Sequence, residues 1–149
     1  MKLRTTCRAG ATLTIVMASV VAGCGGGGGL SKGELVKQAN TICKRHNDTI
    51  TAAASKVLAG GRLPSREEFG KLAVGTIVPE YSAQIKELRK LEAGGSLTKP
   101  YKGWLDDSES VRAKVQQNPS LIMSAANFSP VNQQADKLGL SRSCHVGPS

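Results

Sequence analysis

The sequence predicts an all-α domain: an up-down four-helix bundle closed by a disulfide, preceded by a signal peptide and a glycine-rich tether. Apolar residues recur at steps of three and four through four separate segments, and Gly and Pro punctuate them where strand-type alternation is nearly absent. Two cysteines, Cys43 and Cys144, stand toward opposite ends of the periodic region.

The first segment opens on Ser31 and Glu34, the spacing of a capping box, and continues with Leu35, Ala39, Ile42, His46, Ile50, Ala53 and Val57. It predicts a long amphipathic helix running to about Leu58 and stopped at Gly60-Gly61. Ser65 and Glu68 repeat the capping box after Pro64, opening a second helix with Phe69, Leu72, Ala73, Ile77, Tyr81, Ile85, Leu88 and Leu91 inward. Pro79 lies inside it and predicts a kink or a break. Lys86, Arg89 and Lys90 fall near its carbonyl end, where the macrodipole favours positive charge.

Gly94-Gly95 end the second helix, and Pro100 is the expected first position of a third, with Tyr101, Trp104, Leu105, Ser108, Val111 and Val115 on one face. Asn118-Pro119 stops it. A fourth is expected from about Ser120, with Leu121, Ala125, Phe128, Val131, Ala135 and Leu138 inward and Gly139 at its end; Pro130 is a second candidate break. Short polar connections favour up-down stacking, which returns the last helix to the start of the first. Cys43 would then lie about 17 Å along helix one at ~1.5 Å per residue, within reach of the chain leaving a shorter helix four.

Residues 1–23 have the layout of a signal peptide: Lys2, Arg4 and Arg8, an apolar stretch from Ala9 to Val21, then the small residues Ala22 and Gly23 before Cys24. Val21-Ala22-Gly23-Cys24 looks like a lipobox, in which the Cys24 thiol receives a diacylglyceryl group, cleavage falls just before Cys24, and the new amino terminus is acylated, as with palmitate. The Ala9 to Val21 stretch, interrupted by Gly10, Thr12, Thr14 and Ser19, is short of the roughly 20 apolar residues that span a bilayer. Residues 24–31 form the lipidated cysteine and its linker, in which Gly25 to Gly29 give a flexible reach of roughly 12 Å. No Gly-Lys-Ser/Thr follows these glycines, so they are not a phosphate loop. The expected location is extracytoplasmic, lipid-anchored to the outer face of the plasma membrane, with the bundle over residues 32–149.

Loss of residues 1–23 leaves 126 residues, one domain's worth, with 17 of the 20 Lys and Arg against all 11 Asp and Glu, a formal charge of +6. Such a domain is attracted to an anionic leaflet. The basic residues are nevertheless spread along the chain, as on an ordinary solvated surface, and with few aromatics they do not point to nucleic acid. Cys7 leaves with the signal peptide and Cys24 is lipidated, so Cys43 and Cys144 are the pair left in an oxidising compartment, and a disulfide is the economical reading. A Cys2His2 zinc site with His46 and His145 competes with it, although adjacent ligands such as Cys144 and His145 are awkward to aim at one tetrahedral ion.

The lipobox, the short spacer, a first helix containing Asn40-Thr41-Ile42-Cys43 and a tail reading Leu138-Gly139-Leu140 before Cys144 together resemble small actinobacterial lipoproteins of unknown function. The resemblance covers most of residues 15–145. It implies a helical, disulfide-closed, surface-anchored domain and carries no catalytic residues across.

No catalytic motif stands out: there is no His-Glu-x-x-His, no Gly-x-Ser-x-Gly and no dinucleotide fingerprint. The candidate binding residues are His46, on the buried face of helix one, and Trp104 with the acidic cluster Asp106, Asp107 and Glu109 on helix three. His46 reads first as a hydrogen-bonded core histidine, the acidic cluster as dipole compensation in an early helical turn, and Trp104 with Tyr101 as core. A pocket joining them would favour solute binding or catalysis. The expectation is therefore a non-enzymatic lipoprotein that needs no cofactor or metal and binds an envelope protein or a small solute. A metal-dependent or acid-base enzyme of the cell envelope is the alternative.

Overall fold

Two serines set the first two helix starts. Ser31 Oγ accepts from the Glu34 amide at 3.4 Å while the Glu34 carboxylate takes the Ser31 amide at 3.1 Å, and Ser65 and Glu68 repeat the exchange at 3.2 and 2.8 Å. Both capping boxes satisfy amide donors that a helix start leaves over. A computed structural model describes residues 28–59, 61–62 and 64–147, so the signal peptide expected over residues 1–23 and Cys24 lie outside the described residues. Within them the chain is a helical bundle: α1 is Lys32–Leu58, α2 Arg66–Leu72, α3 Val78–Leu88, α4 Thr98–Gln117 and α5 Ser129–Leu138. Among the described residues there is no strand, only an isolated parallel bridge between Leu30 and Ala93. Nor is any helix there long and apolar enough to cross a membrane.

The disturbance expected at Pro79 takes the form of a change in helical register. The five residues Ala73–Ile77 form a π-helical turn joining α2 to α3, and the dihedrals stay right-handed helical at Leu72, Ala73, Ile77 and Val78. Proline has no N–H and its ring crowds the carbonyl four residues back, here Gly75. Widening the register lets the Val78 amide donate to Ala73 O, five residues back, so the helix passes the proline instead of stopping.

The third helix starts two residues before Pro100, after a 3-10 turn at Gly95–Leu97. Pro100 remains harmless there because the first four amides of a helix lack partners within it. The fourth segment departs further from expectation. Residues 119–127 form two 3-10 turns, Pro119–Met123 and Ala125–Asn127, separated by an extended Ser124, and α-helix begins only at Ser129 with Pro130 in its first turn. A continuous helix through Pro130 would lose a hydrogen bond and crowd the Ala126 carbonyl, so the helix begins where the proline costs nothing.

Successive segments pack side by side, α1 on α3, α3 on α4 and α4 on α5. Between α1 and α3, partners descend in number as α1 rises: Leu30 bridges Ala93, Cys43 meets Gln84, and His46 meets Glu80. The core contains Trp104, Phe128, Leu35, Leu88 and Val131, all nearly inaccessible to solvent. Ile50, Ala53 and Val57, expected inward, are only half-buried, since the second half of α1 is less well covered.

The tail ties the domain together. Gly139 ends α5 in the left-handed conformation, and a 3-10 turn at Arg142–Cys144 brings the Cys144 sulfur to 2.05 Å from that of Cys43, disulfide distance, across 101 residues of sequence. Asn40 Oδ1 accepts from the Ser141 amide at 2.8 Å, Asn132 exchanges two hydrogen bonds with Val146, and the Gly147 amide donates to the Tyr81 hydroxyl at 3.0 Å.

Closing a loop of this length stabilises a fold by at most roughly 4 to 5 kcal/mol, acting on the unfolded chain. Reduction is therefore expected to lower the melting temperature while the far-ultraviolet circular dichroism of the native state stays helical. A loss of helicity on reduction at low temperature would contradict this. Gly147 has φ +81° and lies against the Phe128 ring, so a Cβ there would stand 2.3 Å from the ring. Gly147→Ala should cost about 1 to 3 kcal/mol in urea unfolding.

Candidate functional site

The apolar stripe formed by Ile77, the last residue of the π-helical turn, and by Tyr81, Ile85 and Leu88 of α3 is flanked by polar residues at the same helical spacing, Glu80, Gln84 and Glu87. They fall opposite Cys43 and His46 on α1. His46 Nδ1 stands 2.6 Å from Glu80 Oε2 and Nε2 stands 3.4 Å from Glu87 Oε1, while Arg45 closes on the other oxygen of Glu87. The four side chains form one connected line along the α1–α3 seam: Glu80, His46, Glu87, Arg45. Gln84, beneath it, donates weakly to Cys43 Sγ at 3.5 Å and has a buried Oε1 with no hydrogen-bond partner among the described residues.

A neutral imidazole has one N–H and can donate to only one of these carboxylates; both contacts are hydrogen bonds only in the imidazolium form. Burial pushes the Glu87 carboxyl up, but the hydrogen bond and charge of Arg45, with a smaller contribution from His46, outweigh it and hold the group below its ordinary value. The ring nitrogens aim at carboxylates on opposite edges, so no single point is shared by all three groups as metal ligation would need. Among the described residues, no cluster of three His, Cys, Asp or Glu is arranged to hold a metal ion. The competing Cys2His2 arrangement fails on the same geometry: the two sulfurs are at bonding distance, and His145 faces Asp136 at 2.9 Å.

The remaining candidates have separate partners. Trp104 is buried against Tyr101, ring centroids 5.8 Å apart, and its indole N–H finds no acceptor among the described residues. Asp106 lies between Lys102 and Arg89, at 2.6 and 2.9 Å, which hold its carboxyl below the usual range. Asp107 accepts from Gln134 and Glu109 from Arg112. The cluster sits in the middle of α4, whose first turn has no acidic residue, so neighbouring cations at Asp106 and Glu109 and an amide at Asp107, rather than the helix dipole, engage it. It does not share hydrogen-bond or ion-pair partners with His46.

Glu80 also lines an open groove of about 730 Å³ between the second half of α1 and the π-helical turn. Small side chains leave that space: Ala52 and Ala53 on one wall, Gly75 and Pro79 on the other, with Thr49, Thr76 and Lys56 supplying polar groups. A Cβ added at Gly75 would meet nothing within 4 Å, so the groove wall there is free to take a side chain. Glu80, Glu87 and Arg45 were not among the residues singled out from sequence. The signal for them was the spacing of Glu80, Gln84 and Glu87 along one helix edge, which becomes meaningful only once His46 is placed opposite. No protein-family model matches this chain, and neither a curated protein nor a solved structure is detectably similar to it.

His46→Ala should destabilise the domain by about 1 to 3 kcal/mol in urea unfolding, more than Glu80→Gln, because it removes a buried ring together with its contacts to both Glu80 and Glu87. The pH dependence has a definite sign. Glu34, Glu68, Glu87 and Asp106 all ionise more readily folded than unfolded, Glu68 with its value drawn down to about 2 by the Arg62 hydrogen bond and the Ser65 cap. Their contribution is complete above the ordinary values of 4.5 for Glu and 3.8 for Asp and is lost as pH falls through the folded ones. Chemical-denaturation midpoints should therefore decline progressively below about pH 4.5; a midpoint that rises on acidification over this range would contradict the assignment.

Proposed function

We propose that this chain is a lipid-anchored extracytoplasmic protein whose helical domain, an up-down bundle, works as a non-enzymatic interaction or solute-binding module at the outer face of the plasma membrane. One convergence carries the reading. The signal-peptide and lipobox pattern uses Cys7 and Cys24 and leaves Cys43 and Cys144 over, and these two are the ones found at disulfide distance. Such a pair belongs to an oxidising compartment, which is where a lipobox would deliver the domain.

The groove beside Glu80 is the region that supports a binding role. It lies along residues 49–57 of α1, about 30 to 40 Å from the Leu30 end at 1.5 Å per residue, and so points away from the anchor. Its small apolar residues, hydroxyls and opposite charges at Lys56 and Glu80 suit a small amphipathic solute or an exposed segment of an envelope protein.

Cys24→Ser should abolish lipid labelling of the precursor and release the protein from the membrane fraction; retention of label in that variant would overturn the anchor. Ala52→Trp, which fills the groove, should remove the partner or solute co-isolated with the native lipidated protein, whereas Lys114→Trp on α4 should not. Equal recovery from both variants would overturn the groove's role.

A further inference from the structure

The glycine linker does not run free to the start of α1. The Leu30 amide donates to Glu92 O at 2.6 Å and the Gly94 amide donates to Leu30 O at 3.0 Å, fixing the entering chain to the turn between α3 and α4. Gly29 is part of this seal: its φ is +135° and a Cβ there would lie 2.7 Å from Gly94 Cα. What is left between Cys24 and the sealed Gly29 extends at most about 18 Å. A lipid on Cys24 therefore holds one particular end of the bundle at the bilayer, the end made by the start of α1, the α3–α4 turn and the close of α5.

That end gathers lysines that the sequence scatters. Lys32 begins α1 and lies against Gly139 at the end of α5, Lys90 follows α3, Lys99 is in the first turn of α4, and Lys137 is in the last turn of α5. Lys99 and Lys137 flank one shallow cavity. All four are exposed, and among the described residues none of them is paired with a carboxylate. Glu34 and Glu92 share the end, Glu34 engaged with Ser31, and Arg89 and Lys102 there are already held by Asp106. Toward the opposite end, Arg62 and Lys71 close on carboxylates, while Lys56 and Lys114 are exposed without one among the described residues; what distinguishes the anchored end is that its lysines lie where the tether holds the chain to the surface.

We propose that this lysine-bearing end docks on the phosphate headgroups of anionic phospholipids, so that the domain stands on the membrane in one orientation with its groove outward. The proposal rests on the anchored reading above. Ammonium groups are compact point charges that pair with phosphate without demanding a fixed geometry. The tether keeps them close to the surface potential, which decays over a Debye length of about 10 Å at ~0.1 M salt. Each well-placed lysine is worth on the order of fivefold in surface partitioning, so four acting together fix an orientation that one would not.

The test uses the processed protein, purified in detergent and reconstituted into vesicles of phosphatidylcholine alone or mixed with phosphatidylglycerol. An amine-reactive reagent then reports each lysine by mass spectrometry, with Lys56 and Lys114 at the other end as internal references. The expected result is that Lys32, Lys90, Lys99 and Lys137 lose most of their labelling in the phosphatidylglycerol vesicles, keep it in pure phosphatidylcholine, and regain it at high salt. Equal labelling in the two vesicle types, or equal protection of Lys56 and Lys114, would overturn the docking while an acylated Cys24 mass leaves the anchor standing. A mature mass without acyl chains would overturn the anchor and the docking with it.

Discussion

The link between Cys43 and Cys144 joins the middle of the first helix to the 3-10 turn after α5, and the other contacts of the tail organise around it. Asn40, one turn before Cys43, caps the Ser141 amide; Tyr81 on α3 takes the Gly147 amide; Asn132 on α5 pairs with Val146. The tail thus binds three helices at once, two of them, α1 and α3, far from it in sequence. Burial raises the Tyr81 phenol, and the Gly147 amide partly offsets this, as expected for a hydroxyl kept neutral and used as an acceptor inside the fold. Without the tail the α1–α3 seam would have an open edge, and Gln84, already poorly satisfied, would face solvent beside Cys43.

On the same seam, burial and charge are combined in a way that limits the chemistry. His46 is almost fully buried, yet both ring nitrogens are engaged by carboxylates that remain partly accessible, and Arg45 completes the line. A group so engaged is a structural connector: its hydrogen bonds specify which face of α1 meets which face of α3. That specification also positions the groove, because Glu80 serves both the ring and the groove wall. The π-helical turn next to it has a backbone cause in Pro79, and its effect is to set Gly75 and Thr76 along the opening.

A domain carrying an excess of basic residues has to place them somewhere, and most of the exposed ion pairs contribute little stability because water and salt screen them. Their arrangement therefore bears more on association than on folding. Unpaired lysines collected where the chain enters give the surface a direction, which the net charge does not.

The sequence by itself determined what is local. The two capping boxes, the extent of α1 and the placing of Trp104, Phe128 and Val131 in the core follow from spacing and end signals, whereas the pairing of Cys43 with Cys144, expected from the sequence, spans 101 residues and is met only where the folded tail reaches α1. Pro79 and Pro130 were legible as disturbances but not as outcomes, since a missing N–H can be met by a widened turn or a late helix start, and neighbouring packing chooses between them. Only the tertiary structure decided the partners of His46, the dispersal of Asp106, Asp107 and Glu109 onto different cations and amides, and the gathering of Lys32, Lys90, Lys99 and Lys137 at one end. Each of these depends on residues far apart in the chain coming within a few ångströms. Periodicity assigns a residue to a face of its own helix; which face of another helix it meets is fixed only when the helices pack.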